Sequence, residues 1–209
     1  MTLKNKGILL DVGAGKGEFL AQAIKEGWEV QGVEPSPNFC AYVRDRFHIE
    51  VHAGYLGDSL PIPEHGFDVI TLNHVLEHVD QPHSLLNLLP RYLKNDGVVF
   101  MEVPNCDSYF LRVADLYFRV KGLHWSSRLS PFHPPFHRFG FTARSLKFLL
   151  QRCNYEVLHI ATFSGRDRGF LCKKSRWNPE VMLRDLASRS FQFLENRELL
   201  AVIATPIRS

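Results

Sequence analysis

Three glycines at alternating positions, Gly13, Gly15 and Gly17, follow an apolar run over 8–12 in which Asp11 is the one charged residue. Glycines in a tight turn adopt dihedrals that other residues avoid and let a ligand approach the main chain closely. Phe19, Leu20, Ala23 and Ile24 then recur at helical spacing, so a helix start follows the loop and offers unpaired N–H groups to negative charge. Seventeen residues past Gly17, the stretch 28–34 reads as a second strand that ends in Glu34. A carboxylate at that position accepts hydrogen bonds from the two hydroxyls of a ribose. Loop and acid together have the chemistry of an adenosine site. A second group, His74, Glu77 and His78, stands at i, i+3 and i+4, and on a helix those three would share one face. Two imidazoles and a carboxylate so placed could hold a divalent ion. The reading preferred here is that Glu77 and His78 cap and orient a loop, with no metal bound.

The elements that must position these residues alternate along the chain. A helix is expected over 37–47, with Phe39, Val43 and Phe47 on one face, then a short strand over 48–53 and a glycine-flanked loop, Gly54 to Asp58. A proline-rich connection leads to a fourth buried strand, 67–72. A helix over 82–93, a turn over 94–97 and a fifth strand over 98–105 follow. Strands over 156–161 and 199–205 close the chain. Alternating strands and helices joined by short loops predict an α/β fold with a doubly wound, mostly parallel sheet, whose ligand sits at the carboxyl ends of the strands. Gly13, Glu34, Gly54, Asn73 and Pro104 all fall at that edge.

Two stretches depart from this pattern. Over 106–141 aromatic and aliphatic residues dominate, which suits a helical lid that excludes water from an acceptor pocket, a packed layer, or a homodimer surface. The insertion over 164–197 opens with a basic run and continues into a helix. The run reads as a solvated face, or functionally as a patch for a phosphorylated or nucleotide-linked acceptor. The whole of 1–209 is read as one domain, since 209 residues can bury a full core without staples.

Composition excludes several classes. A net charge of +3 does not argue for nucleic acid, and no apolar run approaches the roughly 20 residues that span a bilayer. Cys40, Cys106, Cys153 and Cys172 form no Cys-x-x-Cys pair, which disfavours structural zinc and favours reduced thiols and a cytoplasmic location. Cys106, just after a strand, is read as a bystander. No Lys-Ser/Thr pair closes the glycine loop, as a triphosphate-binding loop would require.

Asp11-Val12-Gly13-Ala14-Gly15-Lys16-Gly17 resembles motif I of the class I S-adenosylmethionine (SAM) methyltransferases, and Val33-Glu34-Pro35-Ser36 resembles their next, acidic motif. Asn73-His74-Val75-Leu76-Glu77-His78-Val79 resembles the phrase after the fourth strand in the subgroup of ubiquinone-pathway O-methyltransferases and sugar and natural-product methyltransferases. The resemblance runs from Ile8 to about Val157. It implies a Rossmann-like sheet of seven strands with the last antiparallel, and SAM as cofactor. It implies that Asp11, Gly13, Ala14, Gly15 and Gly17 shape the methionine side, with Asn73 and His74 flanking it. It further implies that Glu34 and Pro35 lie at the ribose, and that Tyr55, Leu56 and Asp58 border the adenine. Some quinone-pathway relatives carry an acid where His74 stands and bind a metal there, so His74 weakens that analogy.

The run from His137 through Phe141-Thr142 resembles a further signature of the family, with Thr142 a natural N-cap. His137, and with it His133, could remove a proton from an acceptor hydroxyl or amine, or could equally bridge the lid to the sheet by hydrogen bonds. The function this implies is methyl transfer to an oxygen or nitrogen of a small molecule, a sugar, quinone-like phenol or other metabolite. The alternatives are a non-catalytic binding protein of the same fold and an NAD-dependent oxidoreductase, for which the loop lacks a pyrophosphate-sized glycine pattern. The Asn-Pro-Pro-Tyr type of phrase used on flipped bases is missing after the fourth strand. Only seven residues precede Ile8, where relatives carry a helix over the cofactor, so a more exposed adenosine side or a missing upstream segment is expected.

Overall fold

The computed structural model describes residues 6–57, 60–108, 116–122, 137–163 and 199–208. Seven strands pair into one sheet: β1 (Ile8–Val12), β2 (Glu29–Glu34), β3 (Val51–Ala53), β4 (Phe67–Asn73), β5 (Leu93–Pro104), β6 (Tyr155–Phe163) and β7 (Leu199–Pro206). Their order is β3-β2-β1-β4-β5-β7-β6. The first five run parallel, and β7 is antiparallel to both β5 and β6. This is the Rossmann-like architecture expected, with the strand order reversing between β1 and β4 where ligands bind in such sheets.

Helices cover both faces: α1 (Glu18–Lys25), α2 (Pro37–Phe47), α3 (Pro82–Leu88) and α4 (Ala143–Arg152). The strand period of two sorts the side chains. Leu10, Val12, Ile70, Leu72, Val99 and Met101 enter one core with Leu86, Leu146 and Leu150. Leu9 and Val69 turn to the other, with Leu20, Ala23, Cys40 and Val43. Because both faces are buried, the strands read as almost continuous apolar runs.

Three boundaries differ from expectation, each for an identifiable reason. The third strand begins at Val51, not 48, because His48 is spent as the left-handed cap of α2, at φ 57°. Helix α3 ends at Leu88 and continues only as a 3-10 turn, Leu89–Arg91, instead of running to 93. Pro90 has no N–H to give the Leu86 carbonyl. That carbonyl instead accepts the buried Tyr155 hydroxyl at 2.8 Å, which ties the helix to β6. The expected turn over 94–97 is absorbed into β5, whose register against β4 jumps from Phe67↔Leu93 to Val69↔Val98. The bulged polar residues are held from outside: Lys94 pairs with Asp68 at 2.8 Å and Arg208 donates to Asn95 Oδ1 at 2.6 Å.

Thr142 caps α4 as expected, in a reciprocal box with Ser145. Of the aromatic insertion, 116–120 is helical, with Leu116, Tyr117 and Val120 exposed. Lid residues 109–115 and 123–136 and the insertion over 164–197 lie outside the described residues. Among the described residues no helix is long and apolar enough to cross a membrane.

Candidate functional site

The glycine loop folds over the end of β2, with the Gly13 and Ala14 N–H groups donating to the Val33 carbonyl at 2.7 and 3.1 Å. Gly13, Gly15 and Gly17 all have positive φ, at 79°, 54° and 75°. Their side-chain faces differ. A Cβ on Gly13 would stand 2.6 Å from a Val75 methyl, and one on Gly17 would stand 2.8 Å from both Val43 methyls. A Cβ on Gly15 would meet nothing within 4 Å. Gly13 and Gly17 therefore serve packing, and Gly15 faces open space. Gly13→Ala combines a left-handed dihedral with a clash, and is expected to cost about 2 kcal/mol in urea denaturation. Adding Val75→Ala should recover the steric part alone.

Beside Gly15, the Glu34 carboxylate is held at both oxygens, Oε2 accepting from the Gly15 N–H and Oε1 from the Ser36 N–H, each at 2.9 Å. A carboxylate has about four acceptor sites, so two remain for a ligand's hydroxyls. An open glycine face next to a fixed, half-used carboxylate fits the ribose side of an adenosyl group. Parallel pairing sets Asp11 opposite Thr71. The Thr71 hydroxyl donates to Asp11 Oδ1 at 2.6 Å, and the Asn73 amide donates to the same oxygen at 3.2 Å. Burial pushes the Asp11 carboxyl up to about 7, although both donors pull it down, and the Glu34 charge adds to the rise.

The loop after β4 is a turn, not the helix whose single face would carry His74, Glu77 and His78. His74 is left-handed, at φ 55°. That backbone swings its ring between two acids, Nδ1 lying 3.1 Å from Glu77 Oε1 and Nε2 lying 2.9 Å from Glu102 Oε1. Residues 137–139 run along this turn. The Arg138 and Phe139 N–H groups donate to the Glu77 carbonyl at 2.7 and 3.2 Å, and the Arg138 guanidinium pairs with Asp80. His137 is thereby set against His78, with ring centroids 5.0 Å apart. Burial lowers the His137 pKa below the usual histidine value and the neighbouring His78 adds to this, against the opposite pull of Glu77.

The other expected residues fall as follows. Ala14 is buried against Leu20 and the α2 core, and Pro35 is exposed at the β2 end. Tyr55 is 68% exposed, whereas Leu56 is buried in the larger core. Asp58 and His133 lie outside the described residues. Thr71 and Glu102 escape a motif reading, and Ser36, which stands in the acidic motif, gains a role only here, through its N–H on Glu34. Thr71 and Glu102 do leave a signal, a polar residue within the apolar runs 69–72 and 98–103.

Residues 1–160 match the family described as "Methyltransferase domain", and the chain belongs to that family. An uncharacterized methyltransferase of Alkaliphilus oremlandii is 28% identical over 99 residues, covering 46% of this chain and 45% of that protein. A ubiquinone biosynthesis O-methyltransferase of Hydrogenovibrio crunogenus is 28% identical over 119 residues, 54% of this chain and 49% of that one. The chain thus spans about half the length of these curated relatives. A SAM-dependent methyltransferase from Archaeoglobus fulgidus shares the fold at a TM-score of 0.64, with 22% identity and coverage of 97% and 87% of the two chains.

Proposed function

We propose that the protein transfers a methyl group from S-adenosylmethionine to an oxygen or nitrogen nucleophile of a small molecule. The observation that carries this reading is the open face of Gly15 beside a Glu34 carboxylate already fixed by two main-chain N–H groups. Bound S-adenosylmethionine supplies a methyl group activated by its sulfonium, so the chain's task is alignment and exclusion of water. Glu34 would accept the ribose hydroxyls, with Pro35 beside it and Tyr55, Leu56 and Asp58 toward the adenine. Asp11, Gly13, Asn73 and His74 would border the methionine side. His137 would serve the acceptor, at the β4–β5 end of the same strand edge, with His133 as a second candidate there.

Resemblance to the ubiquinone-pathway enzyme supports a phenol-like acceptor among the small molecules to be tried. The test is methyl-labelled S-adenosylmethionine incubated with the full chain and a panel of phenols, sugar nucleotides and small amines. Label transferred to one class, with stoichiometric S-adenosylhomocysteine, is expected. Tight S-adenosylhomocysteine binding without turnover on any class would favour the non-catalytic reading, and competition by NAD would favour the oxidoreductase.

A further inference from the structure

The proposed reading leaves one group unexplained. Glu77 has a side chain only 1% exposed. Its Oε1 meets His74 Nδ1 at 3.1 Å, but its Oε2 is buried without a hydrogen-bond partner. A buried carboxylate oxygen without a donor is costly and calls for an explanation, of which a bound cation is one. Two imidazoles stand beside it. One ligand atom from each of Glu77, His78 and His137 lies within 4.8 Å of the others, and His78 Nε2 is 3.9 Å from Glu77 Oε1.

We propose that Glu77, His78 and His137 form a binding site for a divalent first-row transition-metal ion, with zinc as the best-fitting representative. The set differs from the one suggested by spacing. His74 is not the third ligand, because its two ring nitrogens engage Glu77 and Glu102. It orients the carboxylate, as the outer partners of metal ligands do. The third ligand comes from a distant stretch of chain. His137 is brought in by the N–H groups of Arg138 and Phe139 on the Glu77 carbonyl, by the Arg138–Asp80 pair, and by the Cys106 N–H on the Phe141 carbonyl at 2.8 Å.

The donor set selects the ion. Two imidazoles with one carboxylate suit zinc and its neighbours, whereas magnesium and calcium prefer oxygen donors throughout. Bonds of about 2.1 Å in a tetrahedral site place ligand atoms about 3.4 Å apart, so binding needs side-chain adjustment of about an ångström. Three protein ligands leave a fourth position open to an oxygen ligand. That this position takes the acceptor's oxygen and favours loss of its proton rests on the methyl-transfer reading; binding of the ion does not.

The test is calorimetric titration of the chelator-stripped full chain with zinc chloride alone and with magnesium chloride alone, followed by the visible spectrum of the cobalt(II) form. One equivalent of zinc at micromolar affinity or better, no magnesium heat and a low-symmetry cobalt spectrum are expected. His137→Ala, a change at a partly exposed loop residue, should weaken zinc binding at least tenfold and alter the cobalt spectrum. Glu77→Gln should do the same, with thermal melting to check its fold. Absence of stoichiometric zinc binding, or binding and spectrum unchanged in His137→Ala, would overturn the proposal. S-adenosylhomocysteine binding measured on the same samples keeps that outcome separate from failure of the methyltransferase reading.

Discussion

Glu34→Ala is expected to weaken S-adenosylhomocysteine binding by about 100-fold or more. Hydrogen bonds to a charged acceptor contribute roughly 1.5–3 kcal/mol each, and two ribose hydroxyls would lose theirs together. The variant also releases the Gly15 and Ser36 N–H groups that the carboxylate now holds, so the loop loses part of its preorganisation. Binding and folding are read separately, because Glu34 lies at the strand end and the side-chain face of Gly15 beside it is open. Calorimetric titration with the melting temperature measured alongside is the check. A folded variant that binds within a few-fold of the parent would remove Glu34 from the cofactor site.

Asp11→Asn is expected to stabilise the protein at pH 8 and to change it little near pH 4. The carboxyl is raised from 3.8 to about 7 in the folded state, chiefly by burial. Between those values the native state keeps a proton that the unfolded chain has released, so stability falls as pH rises from about 4 to about 7. Above pH 7 the full penalty applies, about 4 kcal/mol for a shift of roughly three units. Asparagine carries no charge and can still accept from the Thr71 hydroxyl through its carbonyl oxygen, so it escapes the penalty at every pH. Urea denaturation of both proteins at pH 5, 6.5 and 8 measures the difference. A gap that stays constant across that range would show that Asp11 is ionised without cost. If bound cofactor brings positive charge near Asp11, its ionised form gains a partner, and binding should release a proton at pH 6 that Asp11→Asn does not release.

Much of the glycine loop and its neighbouring acid is legible from residues alone. Gly13, Gly15 and Gly17 adopt the positive φ that their spacing demands, and Glu34 ends β2 beside them. Division of labour among the glycines is not legible, because it depends on Val75 and Val43 arriving from elsewhere in the chain. Two of the misplaced boundaries have the same origin. Apolar spacing carried a helix through Pro90 to residue 93, but pairing of Leu93 with Phe67 claims that residue for the sheet. A polar Lys-Asn-Asp-Gly stretch looks like a turn until Asp68 and Arg208 hold it as a bulge.

The sequence by itself determined the alternating elements, the glycine loop, the acid at the end of β2 and the Thr142 cap. These depend on local sterics, capping hydrogen bonds and the strand and helix periods, which act over a few residues. Tertiary structure alone decided that Asp11 faces Thr71 and Asn73, that His74 bridges Glu77 and Glu102, and that His137 meets Glu77 and His78. Each of those contacts joins separate strands or loops through sheet register and main-chain hydrogen bonds, and their pairing energy is set by burial that no local spacing encodes.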